Sequence, residues 1–251
     1  MLGCGTCWPG FKRIALSSGA FGEPAEISHE ISDWSGDSSL ACVPKTCTHV
    51  DEINLRDVVL TIETWPQWRI GSSLWPSGKL LARALAERHA GLPSVCGQRI
   101  IELGAGPGLP GLVCCKLGAA SVVLTDQAEV LPLINRNITL NSLTGICQAA
   151  ELDWSSLDSS PLVESGGKEP CDIILAADVV YAGALSLVNA LLALMRPQVT
   201  KLVLAYKERT QHDREYLENV ILRRLEFCHH KYETDEHGAC SFYVGVLMDT
   251  V

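Results

Sequence analysis

Beyond the first fifty residues, apolar positions alternate between strand-like and helix-like spacing. The alternation over residues 57–62 predicts a strand, and a second short strand is predicted around 68–70. Trp75 then opens a predicted helix, because leucines and alanines follow it at helical spacing. Residues 1–50 are rich in Gly, Ser and Pro and have few periodic apolar positions. We therefore expect a flexible extension over 1–50 and a folded domain over 51–251.

Strands and helices alternate through the rest of the chain. The predicted strands are 99–103, 121–125, 146–152, 172–177 and 201–206, and the predicted helices lie around 112–117, 131–140, 184–195 and 213–224. Two further strands, near 227–232 and 241–247, have no helix between them and predict an antiparallel hairpin. The order predicts an α/β fold, a mostly parallel sheet with helices on both faces and a C-terminal hairpin.

Composition and charge exclude several classes of protein. Hydrophobic residues make up 47 % of the chain, enough to bury a sizeable core, so a wholly disordered protein is excluded. The net charge of −9 repels phosphate backbones, so we expect no nucleic-acid partner, whereas a basic protein or peptide is easily accommodated. No uncharged apolar run is long enough to span a bilayer, so no membrane association is expected.

The cysteines and the N-terminus bear on the compartment. Eleven cysteines is an odd number without regular spacing, which favours a reducing compartment over a disulfide framework. The N-terminus has no compact apolar region ahead of Lys12, which argues against a secretory signal. It lacks acids and contains Ser17 and Ser18, which leaves an organelle transit peptide open. We expect a cytoplasmic protein, with the nucleus or an organelle as alternatives.

A zinc site is the first chemical hypothesis that the sequence suggests. Cys4 and Cys7 have ligand spacing, but Cys42 and Cys47 are wrongly spaced for a zinc knuckle, so free thiols are the preferred interpretation. The histidines show no ligand spacing either. We expect no metal site.

The glycine-rich block at 104–111 is the strongest functional signal. A hydrophobic strand runs into glycines and then into a helix, and glycines allow the backbone to approach a ligand closely. In an open α/β sheet, the ligand crevice lies at the carboxyl ends of the strands. The block also fits the dinucleotide fingerprint, and Asp126 lies 20 residues beyond Gly106, so an NAD(P)-dependent oxidoreductase stays an alternative.

Acidic residues at three strand ends favour S-adenosylmethionine over a dinucleotide. Glu102, inside the strand before the glycines, can hold a cationic amino-acid head but would repel a pyrophosphate. Asp126 ends the next strand, where a carboxylate can accept both ribose hydroxyls. Asp153 and Trp154 end the third strand and can contact the edge and the face of adenine. The alternative for each acid alone is a helix N-cap.

With these motifs in view, the chain resembles the class I, Rossmann-like seven-β-strand methyltransferases, and more closely methyltransferase family 16, the non-SET protein-lysine methyltransferases. The resemblance covers about 55–247. It rests on the strand pair before Gly71 and on Leu74-Trp75-Pro-Ser-Gly78, Glu102-Leu-Gly-Ala-Gly-Pro-Gly-Leu-Pro-Gly111, Leu124-Thr-Asp126, Asp153-Trp154 and Ala177-Asp178-Val-Val-Tyr181. Family members modify chaperones, AAA ATPases, calmodulin and elongation factors. The resemblance thus implies a protein partner that presents a lysine, of the chaperone, ATPase or translation-factor class. We also expect a monomer, although the sequence does not determine the oligomeric state.

The resemblance also implies the cofactor S-adenosyl-L-methionine, with S-adenosyl-L-homocysteine as product. The implied cofactor contacts are Trp75, Glu102, Gly104, Asp126, Trp154 and the Ala177 backbone, to which the residue pattern adds Asp153 and the N–H groups of Ala105 and Gly106. Asp178 and Tyr181 are implied on the substrate side and are the predicted catalytic residues.

Asp178 suits the role of an anchor better than that of a base. A carboxylate with a pKa of about 4 is a poor base for an ammonium with a pKa of about 10, so we expect Asp178 to orient the amine while the proton leaves to water. Tyr181, about one helical turn later, would wall the channel and contact the cation. The alternative is that Asp178 caps the following helix. A small-molecule, histidine or N-terminal acceptor and a non-catalytic binding module also stay open, because fold does not determine the acceptor.

Overall fold

The computed structural model describes residues 48–157, 160–164, 171–180, 185–232 and 240–248. The strands are β1 His49–Leu55, β2 Val58–Thr64, β3 Arg99–Leu103, β4 Ser121–Asp126, β5 Cys147–Glu151, β6 Ile173–Ala177, β7 Lys201–Tyr206, β8 Leu225–Tyr232 and β9 Cys240–Leu247. The α-helices are α1 Pro76–Ala86, α2 Leu109–Lys116, α3 Leu131–Leu140, α4 Pro161–Glu164, α5 Leu185–Leu194 and α6 Gln211–Tyr216.

Strands β3 to β9 form one sheet in the order β5-β4-β3-β6-β7-β9-β8. Strands β3 to β7 pair in parallel, whereas β9 is antiparallel to both β7 and β8. The first two strands form a separate antiparallel pair. The predicted fold class, a mostly parallel sheet with an antiparallel C-terminal strand pair and flanking helices, is confirmed.

Hydrophobic clusters cover both faces of the sheet. One face packs against α1, α2 and α3, whose buried side chains include Leu81, Leu112 and Ile134. The other packs against α5 and the segment after α6, through residues such as Leu187 and Leu217. Because both faces are buried, the central strands are continuous apolar runs rather than alternating ones. No helix in the described part of the chain is both long enough and apolar enough to cross a membrane.

Two local predictions are wrong. The segment predicted as a strand around 68–70 leads into a 3-10 turn, Ile70–Ser72, and β1 precedes β2 instead. The sequence of strand β1 shows no apolar alternation, and most of its side chains are exposed. The strand is held in place by its pairing with β2. The helix predicted over 213–224 ends early, since α6 passes into a π-helical turn, Leu217–Ile221, and then a 3-10 turn, Leu222–Arg224.

The strand order determines where a ligand can bind. From β3 the chain proceeds to β4 and β5 on one side, whereas β6 and β7 lie on the other. The connections therefore diverge between β3 and β6, and in such sheets the crevice opens at the carboxyl ends of those two strands. Glu102 lies near the end of β3 and Asp178 directly follows β6, so both face this crevice.

Candidate active site

A cavity of about 780 Å³ lies at the carboxyl ends of β3, β4 and β6. It contains every predicted site residue that the structure describes. These are Trp75, Glu102, Gly104, Ala105, Gly106, Asp126, Asp153, Trp154, Ala177 and Asp178. Tyr181 lies outside the described residues. A second cavity, of about 420 Å³, lies beside the end of α1 and includes none of the predicted residues.

The glycine loop is held tightly at the floor of this cavity. Gly106 adopts a φ of 55°, and a Cβ atom there would lie 2.6 Å from the carbonyl oxygen of Gly71. Its N–H donates to Asp126 Oδ2 at 2.8 Å, and the Ala105 N–H donates to the Thr125 carbonyl at 2.9 Å. These two N–H groups, expected to face a cofactor, are therefore already hydrogen bonded within the protein.

Asp126 links the glycine loop to the end of β4. Its Oδ1 accepts from the Gln127 N–H at 2.8 Å, while Oδ2 accepts from Gly106. Burial raises the pKa of this carboxyl, and the two N–H donors partly oppose that rise. Each carboxylate oxygen has a second lone pair, so Asp126 can still accept hydrogen bonds from a ligand.

Glu102 is the most enclosed acid of the cavity. Its side chain is buried, and Oε2 accepts from the Gly111 N–H at 2.8 Å. Burial raises the pKa of Glu102 to about 8, because the charged form loses its hydration, and the Gly111 hydrogen bond opposes this only in part. The carboxyl is therefore mostly protonated at neutral pH unless a cation stabilises its charge.

Trp154 and Asp153 occupy different parts of the cavity. The indole of Trp154 lies beside Gly104, where an added Cβ would be 3.5 Å from its ring carbons. Asp153 is exposed at the rim, and its Oδ1 accepts from both the hydroxyl and the N–H of Ser155. These two hydrogen bonds lower the pKa of Asp153.

Asp178 has a partner for each of its oxygens. Oδ2 accepts from the N–H of Ser77, the second residue of α1, at 2.8 Å, and Oδ1 accepts from Arg209 Nη2 at 2.9 Å. The backbone of Asp178 is left-handed, with a φ of 58°, and its N–H donates to the Ala205 carbonyl. Asp178 thus accepts from the first turn of α1, which is distant in sequence, whereas its alternative role, capping of the following helix, involves residues 181–184, which lie outside the described ranges.

Two lining features were not predicted in detail. Segment 70–74 covers one side of the cavity, although part of it had been predicted as a strand. The indole N–H of Trp75 donates to the Ile70 carbonyl at 2.9 Å, and the guanidinium carbon of Arg209 lies 4.6 Å from the centre of the Trp75 ring. The sequence patterns did not indicate the contact of Arg209 with Asp178.

No group of three or more His, Cys, Asp or Glu side chains suited to a metal ion occurs within the described ranges. The cysteines considered as zinc ligands, Cys4, Cys7, Cys42 and Cys47, lie outside those ranges.

Comparison with known proteins identifies the family to which the chain belongs. A family model described as lysine methyltransferase matches residues 54–223. The chain belongs to the lysine methyltransferase family. The resemblance seen in the sequence is thereby confirmed, and the acids at the strand ends lie within the part of the chain that matches the family.

Two relatives and one solved structure illustrate the range of similar proteins. The chain is 30 % identical over 185 residues to the protein N-terminal and lysine N-methyltransferase EFM7 of Yarrowia lipolytica, covering 66 % of each. It is 32 % identical over 134 residues to the histone-arginine methyltransferase METTL23 of Xenopus laevis, covering 52 % of each. The match thus spans about half to two thirds of these relatives. A T. thermophilus 16S rRNA methyltransferase, solved with AdoMet and guanosine, shares the fold with a TM-score of 0.53 at 21 % identity, over 80 % of this chain and 51 % of that one.

The raised pKa of Glu102 has a consequence for stability. The folded protein keeps this carboxyl protonated between its ordinary pKa of about 4 and the folded value of about 8. Its contribution to stability is therefore complete below pH 4 or so and is lost as pH rises towards 8. Glu102→Gln retains an oxygen for the Gly111 N–H but cannot ionise. Between pH 5 and 8.5, we expect the free energy of unfolding to fall more steeply in the wild type than in Glu102→Gln, by at most about 1.4 kcal/mol per pH unit.

Urea unfolding across this pH range measures the difference. Glu151→Gln, which changes an exposed carboxylate at the end of β5, is the control and should follow the wild type. Parallel curves for the wild type and Glu102→Gln would refute a buried, protonated Glu102.

Proposed function

We propose that the protein is an S-adenosylmethionine-dependent protein N-methyltransferase that acts on a lysine side chain. The observation that carries the proposal is the gathering of three acids from the ends of β3, β4 and β6 around one cavity, in a chain of the lysine methyltransferase family. The cavity volume of about 780 Å³ is within the range of small-molecule sites.

The residues of the cavity fit the separate parts of S-adenosylmethionine. The Glu102 carboxyl suits the cationic amino-acid head, because a bound ammonium favours the charged form that burial disfavours. The free lone pairs of Asp126 suit a ribose diol, and the Trp154 indole beside Gly104 suits the face of adenine. Ala105 and Gly106, whose N–H groups are occupied, are proposed to contact the cofactor through van der Waals surface. Trp75, Asp153 and Ala177 complete the proposed set of cofactor residues.

Asp178 is proposed to orient the acceptor amine. When bound, the cofactor supplies a methyl group activated by a sulfonium, and the transfer requires the acceptor nitrogen to be in line with it. Asp178 is fixed at the end of β6 by its backbone N–H and by Ser77, so its carboxylate has a defined position for a cation. The amine loses its proton to the bulk solvent before the transfer, and its neutral fraction reacts, because a carboxylate of ordinary pKa does not hold a proton that an ammonium with a pKa of about 10 gives up. Tyr181, outside the described residues, stays a predicted wall of this channel.

A second candidate acceptor is arginine. The similarity to a histone-arginine methyltransferase supports it, and so does the guanidinium of Arg209, which already lies against Asp178. For either acceptor, the net charge of −9 favours a basic segment of a protein over a nucleic acid as the partner.

The domain division and the compartment are part of the same proposal. We propose that the methyltransferase domain is 51–251 together with the first two residues of β1, which begins at His49. The rest of the extension predicted over 1–50 lies outside the described residues. The protein acts as a monomer on a chaperone, an ATPase or a translation factor. The free thiols that the structure describes support a reducing compartment such as the cytoplasm, and they belong to Cys96, Cys114, Cys115, Cys147, Cys171 and Cys240.

Asp126 provides the test of the cofactor residues. In Asp126→Ala the ribose would lose hydrogen bonds to a charged acceptor, so we expect S-adenosylhomocysteine to bind more weakly by about 1.5–3 kcal/mol. Isothermal titration calorimetry measures the affinity, and circular dichroism checks that the variant is folded. Asp51→Ala is the matched control: its carboxylate is exposed on β1 and lies outside the cavity, so the affinity should not change. Unchanged affinity in folded Asp126→Ala would contradict this placement.

Transfer of a labelled methyl group tests the proposed activity. Incubation with tritiated S-adenosylmethionine and a cell extract, followed by mass spectrometry of the labelled protein, should locate the methyl group on a lysine. Asp178→Asn retains an oxygen for the Ser77 N–H but removes the charge, so we expect kcat/KM to fall on the order of a hundredfold.

The control for this experiment lies at the other end of β6. Asp172 forms an ion pair with Arg99, and Asp172→Asn makes the same chemical change outside the cavity. This variant should keep its kcat/KM if it is folded. Label that appears only in small molecules, or full turnover by folded Asp178→Asn, would contradict the proposed function.

A further inference from the structure

The carboxylate of Asp178 is enclosed and its charge is already balanced. Only 4 % of its side chain is exposed, and Arg209 is its ion-pair partner at 2.9 Å. An enclosed carboxylate that loses its cation is costly, because neither water nor another charge compensates it. Any cationic acceptor that binds to Asp178 must therefore displace Arg209 from this ion pair.

Arg209 lies where a cationic ligand would be recognised. Its guanidinium is over the ring of Trp75 at 4.6 Å and donates to Asp178 Oδ1. An aromatic face together with a carboxylate is a combination that binds ammonium and guanidinium groups. The Trp75 ring is fixed by its own hydrogen bond to the Ile70 carbonyl, so this half of the arrangement does not depend on Arg209.

The position of Arg209 also allows its side chain to move away from Asp178 and Trp75 into solvent. Its side chain is 35 % exposed, in contrast to that of Asp178, and it belongs to the segment between β7 and α6 that has no regular secondary structure. A guanidinium that turns outward regains water, whereas Asp178 and Trp75 stay fixed by α1, β6 and the 70–74 segment.

We propose that Asp178 and Trp75 form a cation subsite that Arg209 fills in the free protein, and that the cationic side chain of the acceptor takes its place. This inference rests on the proposed function and adds that Arg209 competes with the acceptor for the subsite. The exchange replaces one cation by another, so Asp178 is never left without a counter-charge. Acceptors that are neutral or acidic cannot make the exchange, which makes Arg209 a specificity-determining residue.

Small alkyl cations test the subsite without any need for turnover. The probes are n-butylammonium and n-propylguanidinium, which mimic the ends of lysine and arginine, with neutral 1-pentanol as a control and the ionic strength held constant. Binding to the full chain is measured by the rise in Tm with probe concentration. We expect Arg209→Ala to bind at least one of the cations about tenfold or more tightly than the wild type, because its subsite is no longer filled.

Two further variants make the experiment specific. Asp178→Asn/Arg209→Ala, which lacks the carboxylate, should lose the gain in affinity. Arg214→Ala removes a neighbouring arginine whose ion pair is with the exposed Glu208, and it should bind the probes like the wild type. If Arg209→Ala does not fold, Arg209→Gln removes the charge and retains a hydrogen-bond donor, and the same gain is expected of it.

The outcomes separate this inference from the proposed function. Preference for the ammonium or for the guanidinium would support the subsite and indicate a lysine or an arginine acceptor. Failure of both cations to bind folded Arg209→Ala or Arg209→Gln more tightly, or an equal gain in the double variant, would overturn it. A protein that binds the probes but methylates no protein would refute the proposed function and not the subsite.

Discussion

Negative charge enclosed at the carboxyl edge of the central sheet is the constraint on which the candidate site depends. Parallel strands end side by side there, so the acids that follow them are brought together. Each of the three acids compensates its burial in a different way. Glu102 keeps a proton, Asp126 accepts two backbone N–H groups, and Asp178 holds a guanidinium.

This constraint connects the cofactor with the acceptor. A site that encloses acids is selective for ligands that carry positive charge, because a bound cation stabilises the charged form of an enclosed carboxyl. S-adenosylmethionine has an ammonium in its amino-acid head and a sulfonium, and lysine and arginine side chains are cations as well. In the function proposed above, the same edge of the sheet binds both partners of a methyl transfer, with Glu102 on the cofactor side and Asp178 on the acceptor side. The net charge of −9 is consistent with the basic protein segment proposed as the partner.

Much of this arrangement could be predicted because it depends on local patterns. The bounds of β3, α3 and β7 agree with the predicted ones, since each is an uninterrupted apolar or amphipathic run with clear ends. The meeting of Glu102, Asp126 and Asp153 was predicted from their places at the ends of parallel strands, whereas Asp178 was implied by the family resemblance. Strand β1 could not be predicted in the same way, because its pairing with β2 supplies order that its own side chains do not indicate.

The contacts of Asp178 were beyond prediction for a related reason. Ser77 is 101 residues away in the sequence and Arg209 is 31 residues away, and both lie in segments whose position depends on the packed sheet. Local spacing contains no information about such pairs. The segment 68–70 was misassigned because its apolar and aromatic residues are typical of a strand, whereas the structure has a turn that covers the cavity.

A crystal structure of the full chain with S-adenosylhomocysteine tests the central claim most directly. We expect the amino-acid head beside Glu102, the ribose hydroxyls on Asp126, the adenine against Trp154 and the sulfur facing Asp178. Electron density for the ligand in the smaller cavity beside α1, or in the main cavity with its two ends reversed, would contradict the claim.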